Sequence, residues 1–266
     1  MYETTYQRAD SVADAAAKLA GADDGSLLAG GQTLLPTMKQ RLAAPSDLVD
    51  IGGLAELQGI DVSGDTVSIG AGTTHAEVAG SSAVAGAIPA LAALAGGIGD
   101  PAVRHRGTIG GSIANNDPSA DYPAAALGLG ATIVTNKRSI AADDFFTGLF
   151  ETALDEGEIV TKVSFPVPAK AGYAKFPNPA SRYAMVGVFA AQMKDGSVRV
   201  AVTGASEDGV FRAGGIEDAL SGGWSEANAG SSPVGADGMI GDIHGSSEYR
   251  AHLVSVMAKR AVAAAG

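Results

Sequence analysis

The chain has 266 residues, 46% hydrophobic and 18% charged, a balance that describes one large domain or two to three lobes with a buried core and not a disordered chain. A net charge of −11 argues against nucleic acid as a partner, because phosphate backbones need a basic footprint. With no cysteine the chain can carry no disulfide, thiolate nucleophile, iron–sulfur cluster or cysteine-rich zinc site, and its four histidines show no metal-binding spacing.

Ser11 to Ala20 is predicted as a helix, capped by Ser11 and closed by Gly21, with Val12, Ala16 and Leu19 on one face. Ser26 to Ala29 reads as a buried strand stopped by Gly30-Gly31. Leu34 to Leu42 follows as a helix with Pro36 in its first turn, and Leu48 to Ile51 as a strand. A second unit opens with a strand at Thr66 to Gly70 and a helix after Thr74, which has capping-box spacing to Glu77. Val84 to Leu94 is predicted as one apolar helix. Gly96 to Asp121 fits neither period and is expected to be a long functional loop.

Ala131 to Val134 and Ile159 to Phe165 read as strands around a helical or turn region near Asp143 to Phe150. Pro166-Val167-Pro168 to Asn178-Pro179 looks like a boundary. Beyond it, Tyr183 to Met193 and Val198 to Thr203 flank Lys194-Asp195-Gly196-Ser197, a hairpin signal. Ser221 to Gly245 is expected as a surface loop, and Ser247 to Ala265 as an amphipathic helix with Leu253, Val254, Met257 and Ala261 on one side. Met1-Tyr2-Glu3-Thr4 has no leader pattern. The most apolar run, Ala83 to Ile98, is broken by Pro89 and three glycines, so a cytoplasmic chain without a transmembrane segment is expected.

Two glycine loops carry the chemistry. Ala29-Gly30-Gly31-Gln32-Thr33 lies between a strand and a helix, where exposed amides can hold an anion; an ordinary strand-to-helix turn fits the same residues. Arg104-His105-Arg106-Gly107-Thr108-Ile109-Gly110-Gly111-Ser112 repeats the pattern next to two arginines, with Asp121 placed to accept from sugar or ribityl hydroxyls. A solvated basic patch and an Asp117-Pro118 turn are the plain alternative. Neither loop is a P-loop, and Gly97-Ile98-Gly99 lacks the third glycine of a Rossmann fingerprint.

At these loops the chain resembles the FAD-binding medium subunits of the xanthine dehydrogenase and carbon monoxide dehydrogenase family of molybdenum hydroxylases. The resemblance runs from Ala29-Gly30-Gly31-Gln32-Thr33-Leu34-Leu35 through Asp100-Pro101-Ala102-Val103-Arg104-His105-Arg106-Gly107-Thr108-Ile109-Gly110-Gly111, Asp117-Pro118, Asp121 and Gly157-Glu158-Ile159-Val160. It ends on Asp242-Ile243-His244-Gly245-Ser246-Ser247-Glu248-Tyr249-Arg250, and so covers essentially the whole chain. It implies an α+β fold: a two-lobed FAD-binding domain of the PCMH type over residues 1–170 (lobes about 1–53 and 54–170), then a smaller C-terminal α+β domain over 171–266.

The resemblance also implies non-covalent FAD, with Leu27, Leu28, Ala29, Gly30, Gly31, Gln32, Thr33 and Leu34, and with Thr108, Ile109, Gly110, Gly111 and Ser112, along the diphosphate. Asp121 would meet the hydroxyls, and Ile98, Val160 and Lys175 would contact the cofactor. Tyr183 could approach the isoalloxazine or be an ordinary core tyrosine. The molybdenum cofactor and [2Fe–2S] clusters would sit on a large and a small partner subunit, in a dimer of heterotrimers that passes electrons through FAD to a terminal acceptor. A self-contained FAD-dependent oxidase or reductase is the alternative. His105 stands where the family commonly has Asn, as a surface or structural residue or a redox-tuning one.

Overall fold

The computed structural model describes residues 1–265. The first sheet joins β1 (Thr5–Arg8), β2 (Gly25–Leu28) and β3 (Asp47–Asp50) in the order β1-β3-β2. Its pairs are parallel, so each connection must cross over, and α1 (Val12–Ala20) and α2 (Leu34–Lys39) lie in those crossovers. Ser11 caps α1 by accepting the Asp14 amide, and Ala15 packs among Ala9, Val49, Leu54 and Leu57. α2 stops short of the expected Leu42 because Arg41 turns left-handed at φ 62°. β1 is almost wholly exposed and carries no apolar alternation, which is why the sequence hides it.

The second sheet begins with β4 (Ile60–Ser63) and β5 (Thr66–Gly70). Six helices follow: α3 (His75–Gly80), α4 (Ser82–Ala87), α5 (Pro89–Gly96), α6 (Pro101–Arg104), α7 (Ile109–Asn115) and α8 (Tyr122–Leu129). Then come β6 (Thr132–Thr135), β7 (Ser139–Ala141), α9 (Ala142–Phe145), the small hairpin of β8 (Phe146–Gly148) and β9 (Glu151–Thr152), and β10 (Val160–Pro166). The sheet is antiparallel in the order β4-β5-β10-β6-β7, with Val67 and Ile69 opposite Phe165 and Val163 in its core.

Two expectations are corrected here. The single helix over Val84 to Leu94 is two, because Pro89 offers no amide and forces Ile88 out of helical geometry, to φ −139° and ψ 77°. The loop over Gly96 to Asp121 contains α6 and α7, capped by the Asp100 and Thr108 side chains. The capping box before α3 forms with both arms.

The third sheet is an antiparallel meander of β11 (Lys170–Pro177), β12 (Ala184–Gln192), β13 (Val198–Ser206) and β14 (Gly209–Arg212). β11 occupies part of the stretch read as a boundary. β12 and β13 form the expected hairpin, with Gly196 at φ 88° in its turn. The helices α10 (Gly214–Ser221), α11 (Glu226–Ala229) and α12 (Ser247–Ala263) complete this part, α11 falling inside the predicted loop.

β12 is buried on both faces. Val186, Val188 and Ala190 join Leu253, Val254 and Met257 of α12, while Phe189 and Ala191 turn the other way into the core shared with α8. Every residue of α8 is buried, so it carries no amphipathic stripe, and it joins the second sheet to the third.

Candidate functional site

A cavity of about 500 Å³ opens between the first and second sheets, with Ser181, Arg182 and Tyr183, the residues leading into β12, at its third side. The loop after β2 and the start of α2 form one wall. The N-terminus of α7 forms another, and Ile51, Ile98, Ile159 and Val160 add apolar surface. The turn ahead of Ile159 is fixed by Glu158, whose carboxylate accepts from Arg138, the Thr135 hydroxyl and the Asp155 amide. Arg138 foremost holds that carboxyl down at about 2.

The two glycine loops meet backbone to backbone. A Cβ on Gly30 would stand 2.0 Å from the Arg106 carbonyl oxygen, so no side chain can enter there. Gly31 adopts φ 71°, and this turn leaves the amides of Gly30, Gly31, Gln32, Thr33 and Leu34 without an acceptor among the described residues. Leu35 is the first to bond, to the Gly31 carbonyl at 3.3 Å. Gln32 folds back on its own loop, donating to Gly30 at 3.4 Å. A row of unpartnered amides at a helix start is an anion cradle.

The second loop spends its amides differently. Ile109 donates to Thr73 at 3.1 Å, Gly110 to Ala71 at 2.8 Å, Gly111 to the Thr108 hydroxyl at 3.1 Å and Ser112 to the Thr108 carbonyl at 3.1 Å. Its glycines differ as well. A Cβ on Gly110 would strike Ala71 at 2.5 Å, whereas one on Gly111 would meet only the Thr108 hydroxyl, at 3.0 Å, and otherwise point into open space.

Of the residues singled out from sequence, Leu27, Leu28, Ala29, Gly30, Gly31, Gln32, Thr33, Leu34, Ile98, Thr108, Gly110, Gly111, Ser112, Asp121, Val160 and Tyr183 all line the cavity. Ile109 and Lys175 do not. The Ile109 side chain is fully buried in the core below α7, since that face of the helix packs on the second sheet. Lys175 lies behind the wall, donating to the Gly97 carbonyl at 2.9 Å and pairing with Asp121 at 2.9 Å.

Asp121 is 4% exposed at the cavity wall, and its carboxylate accepts from Lys175 and the Tyr173 hydroxyl. Burial pushes the Asp121 carboxyl up while the Lys175 ammonium pulls it down. His105 is outside the cavity too: its Nδ1–H donates to the Pro101 carbonyl, and it borders a separate open cleft with Arg8 and Arg106.

His75, Ile51, Ile159 and Arg182 line the cavity and were not singled out from sequence. The capping box located the start of α3 but carried no sign that its first residue would be buried against the second loop.

Residues 2–168 match the family described as the FAD binding domain in molybdopterin dehydrogenase. The chain belongs to this family. It is 37% identical to the nicotine 6-hydroxylase medium subunit of Paenarthrobacter nicotinovorans, over 98% of this chain and 96% of that one. It is 34% identical to the carbon monoxide dehydrogenase medium chain of Hydrogenophaga pseudoflava, over the same shares of the two chains. Among solved structures, carbon monoxide dehydrogenase from Hydrogenophaga pseudoflava superposes with a TM-score of 0.89 at 35% identity, covering 98% of this chain and 96% of that chain. Quinoline 2-oxidoreductase from Pseudomonas putida 86 gives 0.88 at 31% identity, with the same coverage. This family member is thus an FAD-binding medium subunit of the molybdenum hydroxylase type, an oxidoreductase subunit with a mixed α and β fold. Among its described residues no helix is long and apolar enough to cross a membrane.

Proposed function

We propose that this chain holds FAD as the electron relay of a molybdenum hydroxylase, taking electrons from [2Fe–2S] clusters on a small partner subunit and passing them to a terminal acceptor. A large partner would carry the molybdenum cofactor and choose the substrate, within a cytoplasmic dimer of heterotrimers. The observation that carries this is a full-length correspondence to medium subunits in a chain with no cysteine, so any cluster must belong to a partner.

The cavity fits the cofactor. The unpartnered amides of residues 30–34 supply donors for a diphosphate without any net positive charge, and Gly111 leaves its Cβ position open toward the ligand. Leu27, Leu28, Ile51, Ile159 and Val160 offer apolar surface to a ring system, and Tyr183, 44% exposed at the rim, can cover one. Bound FAD supplies a carrier that accepts electrons in pairs or singly. The chain's own part is to bind and orient it, to exclude water from the apolar wall and to set the charge around it. On this reading Asp121 and Lys175 act as a buried tie beneath the cofactor, between the start of α8 and β11 of the third sheet, with Lys175 positioning Asp121.

The test is to purify the chain alone, and then with a large and a Cys-rich small subunit encoded beside it. FAD released from the isolated chain without iron, and reduced by substrate only in the full complex, is the expected result. A chain that by itself oxidises a substrate with turnover of its flavin would replace the relay with a self-contained oxidase or reductase.

A further inference from the structure

We infer that His75 is a ligand-binding residue, its imidazole donating from Nε2–H to an anionic oxygen of the diphosphate; this rests on the FAD reading above. His75 is 5% exposed, at the first position of α3, and what it exposes faces the cavity. Its Nδ1 is completely enclosed and has no partner among the described residues. Nε2 has no partner either, but it remains accessible, and Gly107 has made room for it: a Cβ there would stand 2.6 Å away. With the proton on Nε2, the imidazole presents its one usable donor at the cavity wall.

The ring is held in place before any ligand arrives. The His75 amide donates to the Gly107 carbonyl at 3.0 Å, Thr74 pairs with Thr108 in a bridge, and the imidazole leans on Tyr122 at 5.4 Å between centroids. Burial, and after it the nearby Arg104 charge, holds the imidazole down at about 4, so it is neutral at physiological pH. The guanidinium of Arg104 is itself occupied by the Ile98 and Gly99 carbonyls and does not line the cavity.

Need and supply coincide here. The second loop has committed the amides of Ile109, Gly110, Gly111 and Ser112 to the protein, so an anion held by the first loop finds few backbone donors opposite. A buried imidazole with neither nitrogen bonded is costly to the free protein, and a ligand oxygen accepting from Nε2–H would satisfy the nitrogen that the cavity reaches.

The experiment titrates the FAD-free chain and its His75→Leu and His75→Gln variants with FAD, ADP and riboflavin by calorimetry and flavin fluorescence. His75→Leu should weaken FAD and ADP equally, by about tenfold or more, and leave riboflavin unchanged. His75→Gln, which keeps an N–H at similar reach, should recover most of the loss, and the midpoint potential of bound flavin should not move. Should the leucine variant fail to fold, nitrogen-15 spectra of the wild-type imidazole decide, since ADP should shift Nε2 and leave it protonated. Equal affinity of wild type and His75→Leu for ADP, or an Nε2 signal that ignores ADP, overturns the assignment. A loss confined to FAD and riboflavin would move His75 to the flavin ring and also overturn it. A wild-type chain that takes up neither FAD nor ADP instead removes the FAD reading, and this inference with it.

Discussion

Gly30-Gly31 and Gly110-Gly111 each lie beside a threonine near a helix start, and both line one cavity, yet their backbones use hydrogen bonds in opposite ways. At Gly31 the chain turns left-handed, and the five amides of residues 30–34 stay open; around Gly110 the amides of residues 109–112 are tied to Thr73, Ala71 and Thr108. The first loop is therefore a cradle, and the second is a wall held by the sheet behind it. The contrast shows that a Gly-Gly pair with a threonine two residues away does not define a phosphate site. What defines one is whether the fold has already taken its donors.

The largest effect should come where the loops touch. Gly30→Val must push the Arg106 carbonyl away, separating the first and second sheets, at an expected cost of about 3 kcal/mol or more. A melting temperature roughly 6–12 °C lower, with FAD binding lost, is the outcome for a chain of this size. A variant that melts with wild type would mean that the loops do not lean on each other, and the contrast would fail.

Next comes the tie beneath the wall. Lys175→Met strands the Asp121 carboxylate in a buried site, which should cost about 3–5 kcal/mol at pH 7. Burial already raises the Asp121 carboxyl, and without the ammonium opposing it the folded state holds its proton above the unfolded value. Stability of the variant then falls as pH rises through that range, so its deficit should be smaller at pH 5 than at pH 7 in urea melts. If stability is untouched and only FAD affinity drops, Lys175 reaches the ligand directly and is not behind the wall.

How far the sequence could be read follows from where each signal lives. Ser11, Thr74 with Glu77, and Asp195-Gly196 mark structure through contacts a few residues apart, and those elements form as expected. α8 and β11 were missed because their pattern depends on distant partners: α8 is apolar on every side, and β11 follows a proline pair that looks like a linker. In the site, the motif residues come together because the loop after β2 of the first sheet meets the loop before α7, which packs on the second. Ile109 lies within the motif, yet its side chain is turned into the core, and Lys175, which only the resemblance singles out, pairs with Asp121. His75 shows the reverse: no local pattern distinguishes it, and only the crossing of α3 with the second loop brings it to the cavity. Sequence proximity to a motif gives the neighbourhood of a side chain and not its direction.

Gly111→Ala should have the smallest effect on the free chain and the clearest effect on the ligand. The position is helical, its φ is ordinary, and the added methyl meets only the Thr108 hydroxyl, which can give by a few tenths of an ångström. Replacing a helical glycine lowers the entropy of the unfolded chain, so stability should stay within about 1 kcal/mol of wild type and can rise. The methyl nevertheless enters the cavity opposite the open amides of the first loop, where a diphosphate must approach closely. FAD affinity should therefore fall by about tenfold or more, with an unchanged melt of the FAD-free chain. That separation of binding from stability is what a wall predicts and a cradle does not: the same change at Gly31, at φ 71°, would disturb both together. Undiminished FAD binding by the Gly111→Ala chain would show that the ligand keeps clear of α7, and the second loop would then serve only to hold the first.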